Sequence, residues 1–147
     1  MILLGLYPKK RSVRLSSVTS KSEEGVLEGG AVPPRLSVVV PAYNEEVRIG
    51  GTLERMVAYF REKHESFEIL VVSDGSTDGT HTVVNAIAEA HPEVQLLTYS
   101  PNRGKGYAVR HGMLAAKGEW VLFSDADLAT PIEEIEKLAV ALENGFD

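Results

Sequence analysis

The stretch EWVLFSDAD, residues 119–127, joins an apolar run directly to two carboxylates, Asp125 and Asp127. The run WVLF (120–123) is apolar at successive positions rather than at alternate ones, which predicts a short strand buried on both faces. Two carboxylates this close repel each other, and burying them costs free energy unless a cation lies between them. The stretch therefore predicts a buried strand that ends at a site for positive charge.

Three earlier apolar runs predict three more strands of the same kind, namely LSVVV (36–40), EILVV (68–72) and VQLLTY (94–99). The segments between and after the four runs have apolar residues at helical spacing. The predicted helix faces are Ile49, Leu53, Met56, Val57 and Phe60; Val83, Val84, Ile87 and Ala88; Val109 and Met113; and Ile132, Ile135, Leu138, Ala139 and Leu142. Strands alternating with helices predict an α/β domain with a doubly wound, mainly parallel sheet and helices on both faces.

Residues 1–34 differ from the rest of the chain because they contain many Ser, Gly and Pro residues and no sustained period. We interpret residues 1–34 as a flexible N-terminal tail and residues 35–147 as the folded domain.

Composition excludes several classes of protein. The 147-residue chain has a net charge of -6, which argues against nucleic acid as a partner. It has no cysteine, so disulfides, zinc–thiolate sites and thiol nucleophiles are absent. No apolar run has the ~20 residues that a membrane-spanning helix needs. We expect a cytoplasmic protein that is at most peripheral to the cytoplasmic face of a membrane.

Each predicted strand is followed by a polar cluster: PAYNEE (41–46), SDGSTDGT (73–80), SPNRGKG (100–106) and SDAD (124–127). In doubly wound sheets, ligands bind outside the carboxyl ends of the strands. Because all four clusters fall at that edge, the sequence predicts one ligand site built from these loops.

The acidic pair predicts a metal site. Asp125 and Asp127 are two residues apart, so on extended backbone both side chains point to the same side. Hard carboxylate oxygens suit Mg²⁺ or Mn²⁺, which complete their shells with water and phosphate oxygens. The alternative is that Asp127 is a solvated loop residue, but the next helix has its own predicted capping box in Thr130, Pro131 and Glu133.

The other charged positions have two interpretations each. Asp74 either belongs to an ordinary turn or accepts a hydrogen bond from a ribose hydroxyl or a base N–H. Arg103 and Lys105 flank Gly104 and either hold an anion or form an ordinary basic loop, which is the favoured reading of these residues alone. The loop is not a P-loop, because no G-x-x-x-x-G-K-S/T frame fits it, and it is not a dinucleotide fingerprint, because position 109 is Val rather than the third glycine.

Four segments, VVVPAYNEE, VVSDGSTDGT, NRGKGYAVRHGMLAAKGEW and SDADLATP, together resemble the family 2 inverting glycosyltransferases with the GT-A fold. The likeness is greatest to the polyprenyl-phosphate glycosyltransferases, especially the dolichyl-phosphate β-glucosyltransferase group, and runs from Leu36 to the end of the chain. It implies a Rossmann-like GT-A domain. It also implies transfer of a sugar, with glucose favoured, from a nucleoside diphosphate sugar such as UDP-glucose to a polyprenyl or dolichyl phosphate, with inversion.

The resemblance also implies roles for individual residues. Asp125 and Asp127 would be the catalytic pair that holds Mg²⁺ or Mn²⁺ against the diphosphate of the donor. The implied substrate-binding residues are Pro41, Tyr43 and Glu45 in the nucleotide pocket, Val72 and Asp74 beside the base, Ala126 close to the nucleotide, and Arg103 and Lys105 in a basic loop near the donor. One departure is Ser73, where many family members have a first Asp.

The resemblance further implies that the chain is a C-terminally truncated, donor-binding part of such an enzyme. An incomplete sheet would expose an apolar edge, through which we expect self-association or pairing with the missing C-terminal half. Two alternatives remain open. One is a non-catalytic fragment that binds nucleotide or a partner, and the other is a nucleotidyltransferase, although PAYNEE lacks the Gly-rich loop usual after the first strand of that class.

Overall fold

The computed structural model describes residues 7–8, 32–63, 65–128, 131–134 and 137. Within these residues the chain forms one five-stranded sheet and three helices. The strands are β1 (Tyr7–Pro8), β2 (Leu36–Ala42), β3 (Phe67–Asp74), β4 (Val94–Tyr99) and β5 (Trp120–Phe123), and the helices are α1 (Ile49–Glu62), α2 (Thr80–Ala90) and α3 (Lys105–Ala115).

The strand order is β1-β5-β2-β3-β4, and β2, β3, β4 and β5 run parallel. From β2 the chain passes outward to β3 and β4, then returns past β2 to form β5 on its other side. The strand order therefore reverses between β2 and β5, and such a switch point opens a crevice at the carboxyl ends of the strands. The predicted doubly wound parallel sheet is confirmed.

Helices cover both faces of the sheet. Because side chains alternate along a strand, successive residues of each buried strand pack against opposite helix layers. Val38 and Val40 pack in the same cluster as α1 and α2, whereas Val39 packs in the cluster beneath α3. The predicted inner face of α1 is confirmed, and all of its members are buried: Ile49, Leu53, Met56, Val57 and Phe60. Of the fourth predicted helix, Ile132 is described and buried, whereas Thr130, Ile135 and residues 138–147 lie outside the described residues.

The N-terminal region contributes an edge strand that sequence analysis missed. Tyr7 pairs with Val121 and Pro8 with Trp120, antiparallel to β5. A two-residue strand is too short to show a period, so the interpretation of residues 1–34 as a tail did not include it. Residues 1–6 and 9–31 lie outside the described residues, and their flexibility stays a prediction.

A buried polar cluster fixes the opposite edge of the sheet, at the amino ends of the strands. The Ser37 hydroxyl donates to Glu68 Oε1 at 2.6 Å, and the same oxygen accepts the backbone N–H of Lys117 at 2.7 Å. The backbone N–H of Gly118 donates to Ser37 Oγ at 2.7 Å. These bonds attach the turn between α3 and β5 to two neighbouring strands. The charged side chain of Glu68 is thereby engaged far from the predicted ligand edge.

Within the described residues, no helix combines the length and apolar character needed to cross a membrane.

Gly112 allows α3 to lie close against the sheet. A Cβ atom at position 112 would stand 2.4 Å from Val39 Cγ1 and 2.9 Å from Val72 Cγ2. At Gly106, near the start of the same helix, an added Cβ would meet nothing within 4 Å.

We expect Gly112→Ala to lower the free energy of unfolding by ~1–3 kcal/mol, because the methyl group overpacks the layer between α3 and the strands. The matched change Gly106→Ala should leave stability equal or raise it by up to ~1 kcal/mol, since alanine favours the helix. Urea denaturation followed by circular dichroism measures both. If the Gly112→Ala variant were as stable as the Gly106→Ala variant, α3 would not lie as close to the sheet as described here.

Candidate functional site

A cavity of about 480 Å³ opens at the carboxyl ends of β2, β3 and β5. Pockets of this size are common for small-molecule ligands. The lining combines acidic, basic, aromatic and small residues from all four loops: Pro41, Ala42, Tyr43, Glu45, Asp74, Asn102, Gly104, Lys105, Ala108, Asp125, Ala126 and Asp127. The prediction that the four polar clusters meet at one edge is confirmed by their shared cavity.

The loops after β2 and β3 are joined by reciprocal hydrogen bonds. The backbone N–H of Asn44 donates to Ser76 Oγ at 3.1 Å, and the backbone N–H of Thr77 donates to Asn44 Oδ1 at 2.8 Å. Asn44 has a φ of 50°, a left-handed conformation that asparagine tolerates better than most residues. Asn44 therefore links the two loops through hydrogen bonds.

Glu46 and Asp78 form a second hydrogen-bonded link between the same loops. Glu46 Oε2 accepts the backbone N–H of Gly79 at 2.7 Å, while Asp78 Oδ2 accepts that of Glu46 at 3.2 Å. Asp78 Oδ1 also accepts the backbone N–H of Thr80, the first residue of α2, at 2.9 Å. Partial desolvation acts to raise the pKa of Asp78, but the hydrogen bonds from Thr80 and Glu46 outweigh it and lower the pKa below the ordinary 3.8.

These contacts correct the expected start of the second helix. The turn chemistry of SDGSTDGT (73–80) predicts that Ser76 or Thr77 starts this helix, with Asp78 in its first turn. The helix begins at Thr80, so Asp78 precedes it and contacts its first backbone N–H from outside.

Asp74 holds the basic loop after β4. Its carboxylate is 4% exposed. Oδ1 accepts the Tyr99 hydroxyl and the backbone N–H of Arg103, both at 2.7 Å, and Oδ2 accepts the backbone N–H of Gly104 at 2.9 Å. Burial and the neighbouring carboxylate raise the pKa of Tyr99, so its hydroxyl stays protonated and donates. Neither sequence interpretation of Asp74 included this role as a long-range anchor.

The acidic pair is positioned by backbone contacts on two sides. The backbone N–H of Ser124 donates to the Val39 carbonyl at 2.9 Å, which carries the parallel ladder one residue past β5. The buried hydroxyl of Thr52, on α1, donates to the carbonyl of Ala126 at 2.5 Å. Because Ala126 lies between Asp125 and Asp127, these bonds fix the chain that carries both carboxylates.

Lys105, the first residue of α3, forms an ion pair with Asp125 across the cavity. The Asp125 side chain is 18% exposed, whereas that of Lys105 is 56% exposed. The carboxylate is thus part of the wall, and the lysine reaches it from solvent.

The acidic pair suits a metal ion that arrives with its substrate. Among the described residues, no three His, Cys, Asp or Glu side chains gather to enclose a metal by themselves. Two carboxylates on an open cavity are nevertheless the set that Mg²⁺ uses when phosphate oxygens and water complete its shell. The contact of Lys105 with Asp125 shows that a cation is accommodated beside this carboxylate.

Residues 37–147 match the profile of the family described as Glycosyl transferase family 2. The chain belongs to this family. This membership favours the glycosyltransferase interpretation over the nucleotidyltransferase alternative.

The chain is also similar to full-length relatives of known name. It is 45% identical over 115 residues to a dolichyl-phosphate beta-glucosyltransferase of Drosophila melanogaster, covering 74% of this chain and 35% of that protein. It is 41% identical over 113 residues to the protein of the same name from Saccharomyces cerevisiae, covering 73% and 34%. The chain therefore spans about a third of the length of the curated relatives that it matches.

Solved glycosyltransferase structures share the fold. A mannosyltransferase from Pyrobaculum calidifontis in complex with GDP-Man and Mn²⁺ is 36% identical with a TM-score of 0.61, covering 74% of this chain and 32% of that one. S. aureus TarS in complex with UDP-GlcNAc is 29% identical with a TM-score of 0.62, covering 75% and 31%. The predicted GT-A architecture is confirmed by these neighbours.

Most family-implied site residues line the cavity, and two do not. Val72 is fully buried beneath α3, so its side chain cannot contact a base in this structure. The resemblance implies a place for Val72 beside the base, but Gly112 of α3 lies directly over this part of β3. Asp74, two residues later at the end of the strand, lies beyond this cover and lines the cavity. Arg103 is exposed and lies outside the cavity lining, with its guanidinium 5.0 Å from the centre of the Tyr107 ring.

Sequence analysis missed several residues that build the site. Asn102, Gly104, Ala42 and Ala108 line the cavity, and Asn44 and Thr52 position its walls from behind. Thr52 carried a usable signal, because a polar residue adjoins the apolar face of α1 between Ile49 and Leu53. Asn102 lies in the SPNRGKG cluster that the sequence places at this edge, and it donates to the Asp74 carbonyl at 3.0 Å. Ala108 gives no signal, since only the packing of α3 brings it to the cavity.

We expect Thr52→Val to lower the free energy of unfolding by ~1–2 kcal/mol, because it leaves the buried Ala126 carbonyl without its hydrogen-bond donor while keeping the side-chain shape. Thr82→Val on the exposed face of α2 is the matched control and should change stability by less than ~0.5 kcal/mol. Denaturant titrations of both variants provide the comparison. Equal stability of the two would contradict a positioning role for Thr52.

Proposed function

We propose that this chain is the donor-binding part of a glycosyltransferase that transfers glucose from UDP-glucose to a polyprenyl phosphate, with inversion. One observation carries the proposal: Asp125, Asp127 and Lys105 share a cavity with the half-exposed ring of Tyr43. Aromatic, acidic and basic groups are the three kinds of contact that a base, a metal-bound diphosphate and its remaining charge require. The relatives support glucose and a dolichyl phosphate acceptor through their names.

The nucleoside is assigned to the side of the cavity formed by the loops after β2 and β3. Pro41 and Ala42 form an apolar wall, and Tyr43 offers a ring face that is 50% exposed. Three hydrogen bonds already reach the Asp74 carboxylate, and a carboxylate can accept about four. Asp74 therefore retains acceptor capacity for one donor group from the base or ribose. Glu45 lines the same wall, with its own carboxylate 3.0 Å from Arg48 Nε.

The diphosphate is assigned to the opposite wall. Asp125 and Asp127 would hold Mg²⁺ or Mn²⁺ there, with Ala126 close to the nucleotide between them. When bound, such an ion stabilises the negative charge that develops on the departing phosphate. Lys105 supplies a further positive charge beside the same group, and the N-terminus of α3 that carries it favours anions.

We assign a polyprenyl phosphate as the sugar acceptor because of its negative charge. A polyprenyl phosphate is already anionic near neutral pH, so it can attack the anomeric carbon without a general base. Attack from the face opposite the leaving diphosphate inverts the anomeric configuration. Because the chain spans about a third of the length of its relatives, transfer is proposed for the whole protein and donor binding for this chain.

The acidic pair gives the direct test. We expect the wild-type chain to bind UDP in the presence of Mn²⁺, and Asp125→Asn with Asp127→Asn to bind it at least roughly hundredfold more weakly, because even outer-shell partners of a metal contribute 10–100-fold. Titration calorimetry with and without Mn²⁺ measures this difference.

The matched control is Glu62→Gln with Glu89→Gln, which removes the same charge from exposed positions on α1 and α2. Equal UDP affinity in the acidic-pair variant and the control would leave a non-catalytic, metal-independent binding module as the better description. Parallel titrations with UDP-glucose and GDP-mannose test the proposed choice of donor.

A further inference from the structure

The ion pair between Lys105 and Asp125 places a cation of the protein at the carboxylate proposed to bind the metal. The lysine therefore competes with any divalent ion for Asp125. The two partners differ in how they are held. Asp125 belongs to the chain segment fixed by Thr52 and by the ladder to Val39, whereas the Lys105 side chain is more than half exposed.

The backbone beneath Lys105 does not need to move for the lysine to change partners. Asp74 binds the backbone N–H groups of Arg103 and Gly104, the two residues before Lys105. The helix that follows is packed on the sheet through Ala108 and Gly112. Exchange therefore requires only rotation of a long, solvated side chain, which occurs far faster than loop motion.

The position of Lys105 is electrostatically suited to an anion. It is the first residue of α3, where the helix dipole disfavours a cation and favours negative charge. A nearby carboxylate, here Asp125, therefore stabilises a lysine at this point, and a phosphate group would do the same. Lys105 and Asp125 both line the cavity.

We propose that Lys105 is an exchangeable cation of the donor site: it neutralises Asp125 before the metal binds and transfers to the diphosphate when the metal takes its place. This inference rests on the proposed function. Positive coupling between metal and nucleotide follows. The metal alone must displace Lys105 from Asp125, whereas with the nucleotide present the displaced ammonium gains a phosphate partner. By reciprocity, the nucleotide must tighten metal binding by the factor with which the metal tightens nucleotide binding.

The test uses Lys105→Met, which keeps a long apolar side chain but removes the charge. Mn²⁺ alone is titrated into each protein and the free ion is followed by electron paramagnetic resonance. UDP is then titrated at saturating Mn²⁺ by calorimetry. We expect Lys105→Met to bind Mn²⁺ alone roughly fivefold more tightly than wild type, the factor of a partly exposed ion pair. It should bind UDP with Mn²⁺ roughly tenfold more weakly, because a charge-assisted contact to phosphate is lost.

Two variants control for charge and for folding. Lys117→Met removes the same charge from an exposed side chain beyond the other end of α3 and should leave both affinities within about twofold of wild type. Lys105→Arg keeps the charge and should not gain Mn²⁺ affinity. Circular dichroism melts establish that each variant is folded, and Lys105→Gln provides a second neutral side chain if the methionine variant is not.

The inference is tested by the directions of two affinity changes, one for Mn²⁺ alone and one for UDP with Mn²⁺. If the neutral variants bind Mn²⁺ alone no more tightly than wild type while wild type binds UDP with Mn²⁺, Lys105 is not a competitor for the metal carboxylate and the inference is wrong. If the wild-type chain binds neither Mn²⁺ nor UDP, the proposed function fails first and this inference fails with it. If Lys105 had only a structural role, the Lys105→Met variant would bind both Mn²⁺ and UDP more weakly than wild type.

Discussion

The parallel pairing of β2 with β3 on one side and with β5 on the other determines where everything else can lie. It brings the carboxyl ends of three strands to one edge and directs the chain away from β2 on both sides. The segments after β2 and β5 meet at that edge, where Thr52 of α1 holds the Ala126 carbonyl. The cavity lies between these segments and the start of α3. A sheet with β5 added beside β4 would contain the same strands without a crevice between β2 and β5. The acidic pair then depends on this pairing, since Ser124 extends the ladder to the residue just before Asp125.

The polar residues at this edge divide into those that hold loops and those that face the cavity. Asn44, Glu46 and Asp78 connect the loops after β2 and β3 through backbone N–H groups. Asp74 does the same for the loop after β4. Loop backbone held in this way is preorganised, and a preorganised site loses less entropy when it binds a ligand. We therefore expect the loop carboxylates to support the proposed donor binding even where they do not touch the ligand.

Sequence pattern predicted the sheet well and the loop contacts poorly, for one physical reason. Runs such as Val38–Val40 and the apolar face of α1 encode burial residue by residue, so the period shows the element. The hydrogen bond between Asn44 and Thr77 joins residues 33 positions apart. Nothing in the local sequence indicates that these two turn residues contact each other. The same limit applies to Val72, which the resemblance places beside the base, because only the packing of α3 on β3 shows that this side chain is covered. It explains β1 as well, because a two-residue strand has no period to detect.

The electrostatics of the site follow from the same division. Desolvation acts to raise the pKa of Asp78, but hydrogen bonds from the Thr80 hydroxyl and from the backbone N–H groups of Thr80 and Glu46 lower it, so fixed donors stabilise the charged form of this carboxylate. Asp125 is instead balanced by a side chain that can leave, and that side chain projects from a helix terminus suited to anions. A permanent partner, such as an arginine held in a bidentate pair, would satisfy Asp125 equally well but would be harder for a divalent ion to displace. The exposed lysine balances the charge of Asp125 with a side chain that is free to rotate, and this is the property that the proposed site for a metal-bound diphosphate requires.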